Sequence, residues 1–142
     1  HHKSTAIHMG IATALRGGGL IAPALHDTAE RSIDDVMESL RDIVSRVRVG
    51  RIRSSEMSDA TETVSILGED TADTVLPVIY PPQVAIIGCG AVRERPWIID
   101  GAVVPRRVMT IAVAGDHRVS DGRVAARFLS RLAEIFKEPE QL

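Results

Sequence analysis

The stretch Met109–Leu129 reads MTIAVAGDHRVSDGRVAARFL and joins two patterns of different period. The apolar run Val108–Ala114 consists of β-branched and small residues, which predicts a buried strand. Residues 122–137 repeat apolar side chains at intervals of three and four, which predicts an amphipathic helix. Between the two lies a polar segment, Asp116–Asp121. A polar segment where a core strand meets a helix is a common place for functional side chains.

His117 and Asp121 have two interpretations on this pattern alone. In the simpler one, His117 is a hydrogen-bonded turn histidine, Asp121 caps the following helix and Gly122 relaxes its tight start. In the functional one, the imidazole is a general base. An imidazole pKa near ~6.5 and a thiol pKa near ~8.5 make proton transfer between them only modestly unfavourable.

Composition excludes several classes of function. The 142 residues suffice for one domain or part of one, and the net charge of −2 gives no electrostatic footprint for nucleic acid or an anionic membrane. No uninterrupted apolar span of 18 residues occurs and no charged-then-apolar leader pattern opens the sequence, so we expect neither a transmembrane helix nor secretion. A single cysteine, Cys89, excludes an internal disulfide framework and fits a cytoplasmic protein. It lies in an apolar run, which favours a small buried side chain over a nucleophile.

The histidines outside the polar segment do not predict a metal site. They show no helical i, i+4 pairing and no cysteine neighbours. The four basic residues Arg46, Arg48, Arg51 and Arg53 form a local cluster that could meet phosphates, although a solvated surface is the commoner role. We therefore predict no metal.

The remaining patterns predict alternating strands and helices. A glycine triplet, residues 17–19, predicts a hairpin turn rather than a phosphate-binding loop, because a strand and not a helix follows it. Asp100-Gly101 predicts a two-residue hairpin. The pattern predicts a helix that begins after Ser32 and ends at Gly50, and strands at Ile7–Ala12, Leu20–Ala24, Glu62–Leu67, Val84–Gly90, Trp97–Ile99 and Ala102–Val104.

The segment DHRVSDG, residues 116–122, resembles the D-H-R-x-x-D-G signature of the dihydrolipoamide acyltransferases of 2-oxo acid dehydrogenase complexes. Chloramphenicol acetyltransferases share the shorter H-x-x-x-D-G, but Asp116 and Arg118 favour the first family. TVSILG, residues 63–68, resembles that family's T-[IV]-S-N-L-G, with Ile66 in place of asparagine. PPQVAIIG, residues 81–88, resembles its P-P-Q-x-A-I-L-G strand.

The resemblance implies a fold and roles for individual residues. The fold is α/β, a chloramphenicol-acetyltransferase-like two-layer sandwich with a mixed sheet and packed helices. His117 is the general base, and Ser65 donates a hydrogen bond to the oxyanion, a contribution of roughly ~2.7–4 kcal/mol. Asp121 holds the loop and an arginine framework. The remaining motif residues, Asp116, Arg118 and Gly122, support the site.

The resemblance also implies substrates and partners. Coenzyme A accepts the acyl group, which arrives on a lipoyl group carried by an upstream domain. The family forms homotrimers that assemble into cubic or icosahedral cores and bind the dehydrogenase and decarboxylase components. Histidine and serine of one site come from neighbouring chains. Residues 1–142 correspond to the C-terminal part of the catalytic domain, without lipoyl or peripheral-subunit-binding domains.

Three alternatives compete with this function. A Ser–His–Asp hydrolase is disfavoured because Ser65 lies in the middle of a predicted strand and not on a G-x-S-x-G elbow. A non-catalytic assembly fragment would keep the contacts between chains without turnover. A chloramphenicol-type acetyltransferase would accept an antibiotic alcohol in place of the dithiol.

Overall fold

The computed structural model describes residues 4–15, 17–68 and 72–138. These residues form nine strands and three α-helices. In chain order they are β1 Met9–Ile11, β2 Thr13–Ala14, β3 Leu20–Ile21, β4 Ala24–Leu25, α1 Ile33–Arg48, α2 Ser54–Ser58, β5 Glu62–Ile66, β6 Ala85–Cys89, β7 Arg93–Ile99, β8 Ala102–Val108, β9 Ile111–Gly115 and α3 Gly122–Ile135.

The main sheet is mixed and has the strand order β4-β1-β5-β6-β9. Its three inner strands, β1, β5 and β6, are parallel, whereas β4 and β9 run antiparallel at the two edges. Helix α1 packs against β4, and α3 packs against β9. The predicted α/β class with a mixed sheet and packed helices is confirmed.

The strand register assigns side chains to the two faces of this sheet. Met9 lies beside Glu62 and Ile87 beside Val113, and all four line the space on the side of α1 and α3. Because side chains alternate along a strand, Thr63, Ser65, Ile86 and Gly88 lie on the opposite face. We call these the helical face and the serine face.

The connection before β6 crosses the serine face where two glycines make room for it. A Cβ built on Gly88 would lie 2.9 Å from the carbonyl oxygen of Val75, and one on Gly90 would overlap the Asp73 carbonyl. The Ala91 amide also donates to the carbonyl of Ala72 at 3.0 Å. Close approach of backbone to backbone therefore explains the glycines of the segment Gly88-Cys89-Gly90.

The tightest packing lies at one corner, where α1 and α2 meet β4. Ile43 and Val47 of α1 and both residues of β4 are buried. Glu56 of α2 is only 5% exposed and accepts two hydrogen bonds from the Arg46 guanidinium, both at 2.7 Å. We call this region the closed corner.

The predicted helix boundaries agree with the structure at their N-termini. The Ser32 hydroxyl accepts a hydrogen bond from the Asp35 amide at 3.2 Å, and the Asp121 carboxylate accepts one from the Val124 amide at 2.9 Å. Both are side-chain N-caps, which satisfy amides that the helix leaves unpaired. None of the described helices combines the length and apolar character needed to span a bilayer.

Several predicted strands were wrong in extent. The predicted strand Val108–Ala114 is broken at Met109 and Thr110, since Val108 ends β8 and β9 begins at Ile111. The predicted strand Leu20–Ala24 is two strands, because Pro23 has no amide hydrogen and separates β3 from β4. Pro139, expected to stop α3, lies outside the described residues.

The predicted hairpin is confirmed, and its strands are longer than expected. Asp100 and Gly101 both have positive φ, 50° and 81°, as a type I′ turn requires. The seven paired positions run from Arg93–Val108 to Ile99–Ala102. Strands β7 and β8 form a separate two-stranded sheet.

Candidate active site

The polar segment predicted from the sequence forms a turn between β9 and α3. The Asp116 amide donates to the Val84 carbonyl at 2.8 Å, which anchors the turn to the start of β6. The Asp116 carbonyl accepts from the amides of Val119 and Ser120 at 2.9 and 3.0 Å. At its far end the turn leads into α3 through the Asp121 cap. The backbone on both sides of His117 is thus held by hydrogen bonds.

Asp116 and Arg118 form an ion pair within this turn. The Arg118 Nε and Nη2 atoms donate to the Asp116 carboxylate at distances between 2.6 and 3.1 Å, and the Arg118 amide donates to it at 2.9 Å. The guanidinium hydrogen bonds, with the amide adding to them, lower the pKa of Asp116 to about 2. Asp116 is therefore ionised throughout the near-neutral range in which a histidine base works. Arg118 pairs with Asp116, whereas the Asp121 carboxylate caps α3.

The His117 side chain is exposed at the top of the turn and forms no hydrogen bond with the described residues. The other described histidines contrast with it. His8 accepts from the Asp27 amide at 3.1 Å, and His26 lies 3.2 Å from the Asp59 carboxylate. The described residues therefore do not support the interpretation of His117 as a hydrogen-bonded turn histidine. Both ring nitrogens remain available to a partner.

Ser65 lies in β5 on the serine face. It is half-buried and lines a cavity of about 370 Å³ whose walls are largely apolar, among them Ile21, Val78 and Ile86. Ile66, which departs from the family motif, points out of the cavity and is exposed.

Two of the other polar residues that line the Ser65 cavity are hydrogen-bonded to each other. The buried Thr63 hydroxyl donates to the Gln83 side-chain oxygen at 2.7 Å. Gly10 allows this packing, since a Cβ there would lie 2.6 Å from the Thr63 oxygen. Sequence reasoning did not select Thr63 or Gln83. The alternation of β5 was the available signal, because it places Thr63 on the same face as Ser65.

Ser65 and His117 do not meet within one chain. Ser65 lies beside Gly88, which lies beside Ala112, so Ser65 and β9 are two strand spacings apart. His117 lies beyond the far end of β9, at the opposite end of the sheet from Ser65. At ~4.8 Å between strands and ~3.3 Å per residue, the two residues are roughly 15–20 Å apart. The described chain therefore assembles no Ser–His–Asp triad.

Other candidate groups do not join the site. Arg46, from the predicted basic cluster, is bound to Glu56 and to Asp42, and these hydrogen bonds raise its pKa. Cys89 is buried, and burial raises the pKa of its thiol. Among the described residues, no three His, Cys, Asp or Glu side chains come together as metal ligands.

The whole chain, residues 1–142, matches the family model described as 2-oxoacid dehydrogenases acyltransferase (catalytic domain). The chain belongs to this acyltransferase family. The predicted family and its chloramphenicol-acetyltransferase-like fold are confirmed.

A Pseudomonas aeruginosa relative illustrates the similarity. It is the lipoamide acyltransferase component of the branched-chain alpha-keto acid dehydrogenase complex and is 34% identical over 137 residues. The match covers 96% of this chain and 32% of that protein. The chain thus spans about a third of the length of that curated relative.

Solved acyltransferase cores share the fold over most of this chain. The Azotobacter vinelandii dihydrolipoamide acetyltransferase has a TM-score of 0.83 and 28% identity, over 94% of this chain and 54% of that one. The cubic core of a pyruvate dehydrogenase multienzyme complex has a TM-score of 0.82 and 29% identity, over 93% and 54%. The Azotobacter structure was used to study the roles of a serine, a histidine and an asparagine in catalysis.

The spacing of those three residues recurs in this acyltransferase chain. Ser65 precedes His117 by the same number of positions as the Azotobacter serine precedes its histidine. Asp121 follows His117 at the interval at which the asparagine follows the histidine there. This chain therefore has a carboxylate where that enzyme has a carboxamide.

Proposed function

We propose that this chain transfers an acyl group between dihydrolipoamide and coenzyme A within a 2-oxo acid dehydrogenase complex. The observation that carries the proposal is the state of His117. Its imidazole is exposed and without a hydrogen bond to the described chain, on a turn whose backbone is fixed at Asp116 and Asp121. A general base needs a fixed position and a ring nitrogen free to reach the substrate.

In this mechanism His117 moves one proton in each half of the reaction. It takes the proton from the thiol of coenzyme A as the sulfur attacks the thioester carbonyl of acyl-dihydrolipoamide. The tetrahedral intermediate then collapses, and its bond to the dihydrolipoamide sulfur breaks. The imidazolium returns the proton to that thiolate, so the histidine ends neutral. The reverse direction uses the same steps.

Ser65 is the proposed donor to the oxyanion of that intermediate. Its half-buried hydroxyl lies in a largely apolar cavity, where a hydrogen bond to a developing charge is stronger than in water. Because Ser65 and His117 of one chain lie roughly 15–20 Å apart, we infer that His117 of one chain acts with Ser65 of a second copy. The equal spacing of serine and histidine in the Azotobacter enzyme supports the pairing of these two residue types.

The rest of the turn positions His117. The Asp116–Arg118 pair fixes the backbone before and after it, and the Asp121 cap with Gly122 fixes the start of α3. Since the pKa of Asp116 is about 2, this pair keeps its charges across the working range of a histidine base.

The proposed assembly is a homotrimer within a larger cubic or icosahedral core. The likeness to a cubic core supports it, as does the separation of the two site residues within one chain. We propose as partners the lipoyl group that delivers the acyl chain and the dehydrogenase and decarboxylase components of the complex.

The first experiment measures acyl transfer from acetyl-coenzyme A to dihydrolipoamide. We expect His117→Ala to lower the turnover number by at least ~10², the contribution of a general base. His26→Ala, at a histidine outside the polar turn, is the matched control and keeps full turnover. Equal rates for wild type and His117→Ala would contradict His117 as the base. A wild-type oligomer without transfer would instead favour the assembly-only function.

A mixing experiment tests whether the site lies between chains. His117→Ala and Ser65→Ala chains are unfolded together and refolded at equal concentration. Roughly a quarter of the interfaces should then pair an intact histidine with an intact serine, if the contact is head-to-tail. Recovery to about that fraction of wild-type activity supports a shared site, and no recovery contradicts it.

A chloramphenicol-type activity is tested with the same protein. Replacing the dithiol with chloramphenicol should abolish transfer. Equal turnover with the antibiotic alcohol would contradict thiol-to-thiol specificity.

A further inference from the structure

The cavity that Ser65 lines contains a second polar side chain, Gln83, which the proposed mechanism does not use. Gln83 lies just before β6, is half-buried and faces the same cavity of about 370 Å³. Its backbone is fixed on both sides. The Gln83 amide donates to the Tyr80 carbonyl at 3.0 Å, and the carbonyl of the next residue, Val84, accepts from the Asp116 amide at 2.8 Å. The side chain therefore enters the cavity from a fixed point.

Thr63 determines which way the Gln83 carboxamide faces. The Thr63 side chain is buried, and its hydroxyl donates to the Gln83 Oε1 atom at 2.7 Å and to no other acceptor among the described residues. Gly10 leaves room for this hydroxyl, since a Cβ there would lie 2.6 Å from it. The oxygen and nitrogen of a carboxamide point in different directions in one plane. The Gln83 nitrogen is therefore turned away from Thr63.

The Gln83 Nε2 atom is an available hydrogen-bond donor. It forms no hydrogen bond with the described residues, whose fully buried side-chain nitrogen and oxygen atoms all have partners. The Nε2 atom is therefore accessible from outside the protein. A fixed donor beside a largely apolar cavity favours a ligand that has an acceptor at that position, because a ligand without one leaves the donor unpaired.

The separation between Gln83 Nε2 and the Ser65 hydroxyl limits the ligands that can use both. Thr63 and Ser65 lie two positions apart on the same face of β5, which is about 6.6 Å at ~3.3 Å per residue. Because the Gln83 carboxamide is bound to Thr63, its nitrogen lies roughly 6–9 Å from the Ser65 hydroxyl. A ligand bound to both donors needs two acceptor oxygens at a similar separation.

A thioester of coenzyme A has two such oxygens. In its pantetheine arm, two methylene groups separate the sulfur from the nearest amide. The thioester carbon and that amide's carbonyl carbon are thus five bonds apart, about 6 Å when extended. The carboxamide of dihydrolipoamide lies at the end of a longer hydrocarbon chain and exceeds this separation. The spacing of the two donors therefore fits the pantetheine arm and not the lipoyl arm.

We propose that Gln83 Nε2 donates a hydrogen bond to the pantetheine amide carbonyl nearest the sulfur, while Ser65 of the same chain donates to the thioester oxygen. Thr63 is the positioning residue that orients the Gln83 carboxamide. The inference rests on the proposed function, because it names the contact by which the same site recognises its coenzyme A substrate. Gln83 binds and orients this substrate and takes no proton from it.

The first test measures the binding of two thiols by calorimetry. Pantetheine contains the amide and lacks the phosphates of coenzyme A, and dihydrolipoamide is the matched ligand. Gln83→Glu keeps an acceptor for the Thr63 hydroxyl and removes the donor. We expect this variant to bind pantetheine at least fivefold more weakly and dihydrolipoamide as wild type does. Equal affinity of both proteins for pantetheine overturns the proposal, and so does an absence of pantetheine binding to wild type. An equal loss for both thiols also overturns it.

Gln83→Met separates the lost donor from the added charge. Methionine has a similar length, donates no hydrogen bond and adds no carboxylate to the cavity. We expect Gln83→Met to weaken pantetheine binding as much as Gln83→Glu does. Full affinity in Gln83→Met would mean that the charge alone acts in Gln83→Glu, and this result would overturn the proposal. Circular dichroism of each free variant checks that the fold is retained.

Thr63 variants test the orientation of the carboxamide. Thr63→Val removes the hydroxyl and leaves the carboxamide free to rotate, so pantetheine binding should weaken by about threefold. Thr63→Ser keeps the hydroxyl and should restore the affinity for pantetheine. Unchanged affinity in Thr63→Val would overturn the positioning role of Thr63.

Kinetics separates this inference from the proposed function. With pantetheine as the acyl acceptor, Gln83→Glu should raise KM by at least fivefold and leave kcat near the wild-type value, whereas His117→Ala lowers kcat. Transfer with an unchanged KM in Gln83→Glu would overturn the Gln83 contact and leave the proposed function standing. If wild type binds pantetheine through Gln83 but transfers no acyl group, the contact is supported and the proposed function is contradicted.

Discussion

The closed corner and the end of the sheet that carries His117 differ in how they are held. In the closed corner, Ile43, Val47 and Leu25 are buried, and Glu56 is tied to Arg46 by two short hydrogen bonds. At the other end, α3 contains no fully buried residue within the described chain, and the turn bearing His117 is held by local hydrogen bonds together with one bond from the Asp116 amide to the Val84 carbonyl.

The difference shows that positioning of the candidate base does not depend on a closed core beside it. The Asp116 hydrogen bonds to Val119, Ser120 and Arg118 are all within five residues. Local bonds of this kind fix the backbone that carries a side chain while leaving the side chain accessible, whereas packing would bury it. Elements used for binding are generally drawn from the less stable parts of a protein.

The largest expected effect is the loss of stability when the ion pair of the closed corner is removed. Glu56→Ala removes one member of a buried ion pair and the acceptor of the Arg53 amide, which donates to Glu56 at 2.9 Å. We expect a loss of roughly 3–5 kcal/mol in the free energy of unfolding, because the guanidinium keeps its burial without its main partner. Urea unfolding measures it. Glu134→Ala, which removes the exposed pair with Arg131, is the control and should cost roughly 0–1 kcal/mol.

A pair of apolar truncations compares the two regions directly. Ile43→Ala should cost roughly 2–5 kcal/mol, since Ile43 is fully buried and leaves a cavity. Phe128→Ala should cost about 1 kcal/mol or less, because its ring already contacts solvent and loses less burial. Equal losses in urea unfolding would show that both regions are packed alike and would contradict the comparison.

Acid should weaken the closed corner through Glu56. Hydrogen bonds from Arg46 lower the pKa of Glu56 from 4.5 to about 2. Its ionised form therefore stabilises the fold at pH above 4.5, by on the order of 2–3 kcal/mol, and this contribution is lost as pH falls from 4.5 towards 2. The measurement is the stability difference between wild type and Glu56→Gln, which should shrink over that window. A difference independent of pH would contradict the assigned pKa.

The smallest expected effect compares the two N-caps. Ser32→Ala at α1 and Asp121→Ala at α3 should each cost roughly 0.5–2 kcal/mol, because each leaves a helix amide without its acceptor. Only Asp121→Ala should also lower acyl transfer, since only that cap fixes the turn of His117. Asp121→Asn keeps an acceptor and should retain most of both properties. Loss of transfer in Ser32→Ala would mean that the effect is global.

Local features of the fold were predictable from the sequence because neighbouring residues determine them. Ser32 and Asp121 cap the helices that they precede, and Asp100-Gly101 forms the expected hairpin turn. The family motifs marked both Ser65 and His117. Hydrogen bonds within a turn or a helix end involve residues only a few positions apart, so a short pattern is enough.

The features that depend on distant contacts could not be predicted. An apolar run does not reveal the break at Met109–Thr110, where the chain leaves the hairpin for the main sheet. The sequence pattern groups Arg46 with the neighbouring arginines. Its partner in the structure is Glu56, and this pairing depends on how α2 packs in the folded chain. The separation of Ser65 from His117 follows from strand order and register, which are properties of the assembled sheet.

Gly88 and Gly90, over which the connection before β6 passes, restrict which mutations the gene can tolerate at their codons. Gly88 and Gly90 leave no space for a Cβ against Val75 and Asp73, whereas Gly17 and Gly122 face open space. Every nucleotide change that replaces a glycine codon with another amino acid adds at least a Cβ. Codons 88 and 90 therefore have no sterically neutral replacement within one mutational step, whereas a Cβ at codon 17 meets no such barrier.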